Sequence, residues 1–481
     1  GQLGMMTKHA LEQDQNRTYE VAAFLDDNPS LVGKKVEGVM VYDPDKLSSA
    51  YIQRMAIQEL IIAIQKIAPD RKRAIIDRFI EEEVQLKNIP PVEQWINGEF
   101  SSRQIKKIDI RDLLEREPIH LDHIEVRQQL KERVVMVTGA AGAIGSEIAR
   151  QALYYEPATL ILVDQAESPM HELLLRLKEE FNGRYKRVVS YIADVKNKDR
   201  MDRIFRAHHP DVVYHAAAYK HVPLMEENPG EAVEVNVLGT YNIGQLCLQY
   251  EVDHMVMVST DKAVNPTNVM GASKRMAELA VQALQAMSNH TLFITTRFGN
   301  VLGSNGSVIP LFQRQIDKGG PVTVTHPDIT RFFMTIPEAC ELVLEAGAMG
   351  KGGEIFVFDM GEPVKVLELA KKMIRLSGHA EEDIPIQFVG LRPGEKLYEE
   401  VLSDAESTLP TYNEKIRIAK VQSADRNRVE QVLQQLPHLL TSGDDQSLVR
   451  KLKQLIPEFR SNNSIYQSLD SEEKAPSISN S

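Results

Sequence analysis

Apolar positions along this chain follow two alternating rhythms. Short runs of valine, isoleucine and leucine, the composition of buried strands, give way to longer stretches whose apolar side chains recur at helical spacing. Such alternation predicts parallel strands joined by crossover helices. It is most regular between residues 133 and 297. Strands are expected there at 133–137, 159–163, 191–195, 211–215 and from 256, with one helix over 146–155 and another around Asn236. Beyond 300 the elements shorten, to helices at 310–318, 337–348 and 366–377 and strands at 322–325 and 354–359. Two amphipathic helices fill 425–459. Ahead of 133 the pattern gives strands at 19–25, 37–41 and 59–64 and a charged helix over 69–86.

These shifts suggest a division of the chain. A small α/β domain is expected over 1–105, and a charged linker with a docking helix, 108–114, over 106–132. A nucleotide-binding domain follows over 133–300. A substrate-binding portion spans 301–422, with some segments returning to the main sheet. C-terminal helices occupy 423–460, and a polar, serine-rich tail over 461–481 is expected to be disordered. The chain opens Gly1-Gln-Leu-Gly4 and runs straight into a helical pattern with no strand before it, so the first βα unit reads as truncated.

Composition narrows the function. A chain of 481 residues is too long for one core. A net charge of −12 argues against general nucleic-acid binding, while leaving room for a local anion pocket. Cys247 and Cys340 sit in apolar helical patterns and read as buried thiols in a reducing compartment. No Cys/His ligand spacing occurs, so no metal is expected, and no apolar run is long enough to span a bilayer.

The chemistry begins at Thr138-Gly-Ala-Ala-Gly-Ala-Ile-Gly145, between a predicted strand and a predicted helix. Gly139 suits the tight turn, Gly142 the close approach of a pyrophosphate, and Gly145 the packing of helix on strand. Ala143 and Ile144 begin the helix, whose N-terminus faces the negative charge. Asp164 ends the second strand 19 residues past Gly145, where it can accept a bond from a ribose 2′-hydroxyl and would repel a 2′-phosphate. NAD is therefore the cofactor expected. Asp194 and Val195 end the third strand beside the adenine, and Ala216, Ala217 and Ala218 end the fourth, leaving room for the cofactor to pass. The fold expected is α/β: a Rossmann-type doubly wound parallel sheet with a C-terminal substrate-binding subdomain, preceded by a smaller, N-terminally truncated α/β domain.

A second cluster, Ser259, Thr260, Asp261 and Lys262, lies where the Val256 strand ends, and the helix after Pro266 carries Met270 and Lys274 on one face. Chemistry in open α/β sheets lies beyond the carboxyl ends of strands. A capped strand-to-helix turn with solvated charges would read the same way in isolation. In order, TGxxGxxG, the Asp-Val pair, HAAA, NVxGT and STD with its following lysine resemble the extended short-chain dehydrogenase/reductase superfamily. HAAAYKHVPLME, STDKAVNPTNVMGASKR, RFGNVLGS, TRFFMTIPEA and GLRPGEKLYEE are similar to one branch of it, the membrane-anchored UDP-N-acetylglucosamine 4,6-dehydratases of polysaccharide biosynthesis that retain configuration at sugar carbon 5. The resemblance covers about 108–419.

That resemblance implies a function and a set of roles. The superfamily's YxxxK motif uses tyrosine as base; here Met270 stands in the tyrosine position, as in the resembling branch, and Lys274 remains to hold the nicotinamide ribose. Asn236 would support the site and Ser259 would line the cofactor. Dehydration requires oxidation at carbon 4, loss of the carbon 5 proton and the carbon 6 hydroxyl, and hydride return to carbon 6. Lys262, kept neutral by the like charge of Lys274 and oxidised nicotinamide, is the expected carbon 5 base. Asp261, desolvated and protonated, would expel the hydroxyl, and Thr260 would bond the carbon 4 oxygen. Asp261 or Tyr219 would take the carbon 4 hydroxyl proton. Arg392, in a constrained turn with Glu395, fits a diphosphate clamp, and the resemblance adds Lys220, Asn300 and Arg331 as substrate contacts. The partner expected is a UDP-sugar, in a homo-oligomer held at the cytoplasmic side of the inner membrane by helices absent from this chain. Rival readings are a C5-inverting dehydratase, a 4-epimerase, or a nucleotide-binding scaffold without activity.

Overall fold

The valine-rich runs lie at the middle of one large sheet, where both faces are covered and nothing polar competes for the position. The structure, a computed structural model, describes residues 1–13, 19–64, 67–82, 84–89, 102–108, 110, 123–304, 306–402, 407–421 and 425–470. Contacts group the chain into a larger unit, Pro118–Ser307, Thr325–Val366 and Val389–Ser481, and a smaller one, Gly1–Glu117, Val308–Val324 and Leu367–Phe388.

In the larger unit seven strands run parallel: β1 (Val134–Thr138), β2 (Thr159–Asp164), β3 (Val188–Ile192), β4 (Val212–His215), β5 (His254–Val258), β6 (Leu292–Arg297) and β7 (Ile355–Phe358). β8 (Ser407–Pro410) and β9 (Ile416–Lys420) add an antiparallel edge, giving the order β3-β2-β1-β4-β5-β6-β7-β9-β8. The doubly wound α/β fold is as the sequence pattern predicts. Between β1 and β4 the strand order reverses direction, which opens a crevice at their carboxyl ends.

Three layers of apolar packing hold this sheet. Helices α1 (Ala143–Tyr154), α2 (Glu167–Phe181) and α6 (Ile336–Met349) cover one face. Helices α3 (Lys198–His208), α4 (Thr240–Gln249) and α5 (Val269–Gln285) cover the other. The outer side of α5 is buried in turn by α7 (Arg426–Ser442) and α8 (Asp445–Leu455). Fourteen of the 17 residues of α5 are therefore buried, and it is apolar nearly all round. No helix among the described residues is long and apolar enough to cross a membrane.

The smaller unit carries Phe24–Leu25 parallel to Val39–Tyr42, which also pairs antiparallel with Lys35–Val36, and a second sheet of Glu59–Ile62, Gln85–Asn88 and Lys106–Lys107. Two stretches that the sequence reading kept within 301–422 pack here. Val322–Val324 pairs with Ile386–Phe388, and Lys372 reaches Asp77 at 2.6 Å.

Two expectations need correction. The helix beginning at Pro69 ends at Ile80, and Gln85–Asn88 is a strand. Glu81 and Glu82 follow the last helical residue, where carboxylates oppose the helix dipole and favour the stop. The tail is ordered at least to residue 470: Ile465–Asp470 is a 3₁₀ turn whose Tyr466 and Leu469 are buried against α7 and α8. Residues 471–481 of the expected tail, and 111–122 of the expected linker and docking helix, lie outside the described residues.

Candidate active site

The glycine turn is built as a cradle. Gly139 has φ +66°, a region that L side chains avoid, and a Cβ there would stand 2.5 Å from the Ala217 nitrogen. A Cβ on Gly145 would stand 2.1 Å from the Gly139 carbonyl oxygen, and one on Gly142 3.2 Å from the same atom. Gly142 precedes α1, whose first residues Ala143 and Ile144 present the unpaired N–H groups of a helix start. Asp164 accepts from the Ala141 N–H at 3.0 Å and from the Ala166 N–H at 2.9 Å, so one carboxylate oxygen buttresses the turn itself. Asp194 accepts from the Lys196 N–H, and Val195 is buried against Gly239, where a Cβ would stand 2.7 Å away. This backbone cradle with one acid at the next strand end fits an adenine dinucleotide.

A buried chain of hydrogen bonds runs from this cradle into the sheet. Thr138 Oγ1 meets His215 Nδ1 at 2.7 Å, His215 Nε2 meets Thr240 Oγ1 at 2.9 Å, and that hydroxyl donates to the Asn236 carbonyl. Burial, reinforced by Lys274, holds the His215 pKa down to about 3, so the ring is neutral. Asn236 sits in a π-helical turn, Val233–Gly239, and its side chain bonds both the N–H and the carbonyl of Tyr219 and the Ser273 hydroxyl. It fixes the loop that follows Ala216, Ala217 and Ala218. Tyr219 accepts a bond from Gln165 at 3.3 Å.

Lys274 is 4% exposed and donates to the Val258 carbonyl at 2.8 Å, which brings its amine to the end of β5. Burial lowers its pKa to about 8 against the opposing pull of Glu278. Glu278 is fully buried, grips Arg297 through both carboxylate oxygens and accepts from the Ser259 hydroxyl. Burial works against its charge, but Arg297 outweighs that and holds its pKa at about 2. One turn before Lys274, Met270 is 3% exposed in the apolar layer under α7 and α8.

After β5, Asp261–Ala263 forms a short 3₁₀ turn capped by the Thr260 hydroxyl, which accepts from the Lys262 N–H. Asp261 is fully buried. Its Oδ1 accepts from the Thr260 hydroxyl at 2.8 Å and from Lys262 Nζ at 3.0 Å, while its Oδ2 has no hydrogen-bond partner among the described residues. Gly299 makes this possible, for a Cβ there would stand 3.1 Å from that oxygen. Lys262 also donates to Asn300 at 3.1 Å and lies 3.8 Å from Glu399. The expected like-charge environment of Lys262 is thus corrected. Burial disfavours its ammonium, but Asp261 and Glu399 prevail and raise its pKa above that of an ordinary lysine. Lys220, in the loop after β4, has its pKa lowered by desolvation and then by Lys262.

Arg331 donates to the carbonyls of Thr330, Lys396 and Leu397 and lies 3.3 Å from Glu395 and 3.9 Å from Glu399. Its guanidinium therefore ties down the loop carrying Arg392, whose own N–H bonds Glu395 and whose side chain is exposed. Sequence reasoning missed three parts of the site: Glu399, the Glu278–Arg297 pair behind Ser259, and the 460–464 segment. That segment bonds Pro266 and Thr267 ahead of α5, and Leu391, Gly394 and Glu395 in the Arg392 loop. None carries a spacing signal, because each partner lies tens to hundreds of residues away in the chain.

Comparison with known proteins adds an independent line. The pattern of a family described as polysaccharide biosynthesis protein matches residues 135–421. The capsular polysaccharide biosynthesis protein CapD of Staphylococcus aureus is 46% identical over 402 residues, 84% of this chain and 66% of CapD. The probable polysaccharide biosynthesis protein EpsC of Bacillus subtilis is 44% identical over 424 residues, 88% of this chain and 70% of EpsC. The chain thus spans about two-thirds of the length of these relatives. Among solved structures, DesIV of Streptomyces venezuelae, a dTDP-glucose 4,6-dehydratase with NAD bound, superposes with a TM-score of 0.51 at 24% identity. The match covers 56% of this chain and 88% of DesIV, and is a likeness of fold.

Proposed function

The chain belongs to the polysaccharide biosynthesis protein family, and from that premise we propose that it is an NAD-dependent sugar-nucleotide 4,6-dehydratase. Its substrate is UDP-N-acetylglucosamine and its product UDP-2-acetamido-2,6-dideoxy-4-hexulose. The observation that carries this reading is the Thr260–Asp261–Lys262 turn around the buried Asp261 at the end of β5, next to Lys274, whose amine bonds the Val258 carbonyl and whose charge acts on His215 beneath Thr138. Thr138, Gly139, Gly142, Ala143, Ile144, Gly145, Asp164, Asp194, Val195, Ala216, Ala217, Ala218, Asn236, Ser259 and Lys274 would hold NAD. The Asp164 carboxylate favours it over a 2′-phosphorylated form. NAD, when bound, supplies a hydride acceptor at carbon 4 and the same hydride later for carbon 6.

The chain's own groups manage protons and position. Lys262 removes the carbon 5 proton, which the 4-ketone has acidified. Asp261 takes the carbon 4 hydroxyl proton as that carbon is oxidised and passes it to the departing carbon 6 hydroxyl, which leaves as water, while the Thr260 hydroxyl turns from Asp261 to the carbon 4 oxygen. Lys220, Asn300, Arg331, Arg392 and Glu395 bind or frame the UDP-sugar, with Arg392 on the diphosphate. Met270 cannot accept a proton, which speaks against a tyrosine-dependent epimerase. Incubation with UDP-N-acetylglucosamine should yield a product lighter by one water in mass spectrometry. Carried out in deuterated water, the reaction should give a product whose NMR spectrum retains configuration at carbon 5. Recovery of unchanged substrate from protein that contains NAD would refute the reading.

A further inference from the structure

Glu399 is the feature of this site that neither the motifs nor the family resemblance assigns. Its side chain is only 4% exposed, Oε1 lies 3.8 Å from Lys262 Nζ and 3.9 Å from Arg331 Nη2, and Oε2 is buried without a hydrogen-bond partner among the described residues. Burying a carboxylate oxygen unpaired is costly, and here it happens twice in one place, for Asp261 Oδ2 is in the same condition. The charged groups acting on Glu399 and Lys262 are Asp261, Arg331, Lys396 and Lys220.

The function proposed above needs Lys262 as a free amine, whereas the structure surrounds it with carboxylates. Two carboxylates flank its proton, Asp261 Oδ1 at 3.0 Å and Glu399 Oε1 at 3.8 Å, a gap that a small side-chain shift or one bridging water closes. Asp261 Oδ1 is already engaged by the Thr260 hydroxyl as well as by Lys262. Glu399 Oε2 has no hydrogen-bond partner among the described residues, and desolvation raises the pKa of the side chain despite the opposing cations Lys262 and Arg331. A proton moved there turns a buried ion pair into a neutral amine and a neutral acid, which a dry site favours.

We propose that Glu399 is the proton partner of Lys262: the carboxylate takes one proton from the ammonium, leaving the nitrogen lone pair free to attack the carbon 5 hydrogen, and returns it later in the cycle. An N–H bond breaks as an O–H bond forms, with no other reactant. Glu399 is a positioning residue acting through Lys262, and the inference rests on the dehydratase reading.

Its test is the wash-in of deuterium at carbon 5 from deuterated water, followed by NMR. Glu399→Gln, which cannot take the proton, should lose about a hundredfold in wash-in at neutral pH. Bound NAD and affinity for UDP should be unchanged. The lost rate should return as pH rises and solvent strips the lysine directly. Glu399→Ala should be rescued by added formate, and Glu399→Asp should keep part of the rate. Wild-type wash-in by Glu399→Gln would overturn the proposal. So would a loss that neither pH nor formate relieves, because a merely structural glutamate would behave that way. If the wild-type protein itself shows no wash-in, the dehydratase reading fails instead.

Discussion

Lys274 shows how burial writes chemistry into a single side chain. The folded protein holds its proton less tightly than the unfolded chain does, with a pKa of about 8 against the ordinary 10.5. Between those values the unfolded state binds the extra proton, so this group makes stability rise with pH across that window. Below pH 8 both states are protonated and the cost of the buried ammonium is fully present. Urea unfolding of the NAD-free protein from pH 7 to 10 should therefore give a rising stability, and Lys274→Met should flatten that rise. Equal slopes in the two proteins would mean that the amine is not desolvated. Lys274 was legible in the sequence from its spacing to Met270, and Asp261 from its place after a strand. The charge state of Lys262 was only half legible: Asp261 is its neighbour in the chain, but Glu399, the second carboxylate acting on it, lies 137 residues further on, in an LYEE run whose two glutamates look alike. Chain spacing says nothing of which of them turns inward; here Glu399 is buried and Glu400 exposed.

Among the elements, α5 concentrates the most structure. Its first N–H groups are capped by Asn268 and by Glu226, which bonds the Val269 N–H at 2.6 Å and is held in turn by Ser464. The segment carrying Ser464 also donates from Asn462 to the Glu395 carbonyl and from Asn463 to the Leu391 carbonyl. One strap therefore holds both the start of α5 and the loop that presents Arg392. Replacing Asn462 and Asn463 by alanine removes two hydrogen bonds, each worth about 1 kcal/mol. The KM for the UDP-sugar should rise several-fold to about twentyfold, while kcat and NAD content stay within twofold. A fall in kcat with KM unchanged would mean that the strap serves the helix rather than the clamp. The regular β-α alternation of 133–297 was legible because buried parallel strands read as unbroken apolar runs. The strap was not, since its serines and asparagines act through hydrogen bonds whose partners no local pattern reveals, and polarity alone made it look like solvent-exposed tail.

At the scale of the larger unit, the distinguishing feature is the third layer, in which α7, α8 and the turn at Ile465–Asp470 bury the outer face of α5. The sequence gives two amphipathic helices there but not what they cover, because amphipathicity states that a face is buried and not against what. Lys453 is the test of how firmly the layer is closed. It is 2% exposed, lies 3.8 Å from the Phe459 ring centre and meets Asp470 at 2.7 Å and Ser461 at 2.8 Å. Desolvation lowers its pKa although Asp470 opposes the shift. Asp470→Asn would leave that ammonium buried without its carboxylate and should cost about 2–3 kcal/mol in denaturant unfolding. That is modest for a broken buried pair, because Asp470 is itself partly wet. Adding Lys453→Met should recover most of the loss, as apolar replacement of buried ion pairs commonly does. Since α5 carries Lys274 on its inner side and this layer on its outer side, Asp470→Asn should also weaken NAD retention, and the double variant should restore it. Weakened stability with NAD retention unchanged would show that the third layer secures the fold without reaching the active site.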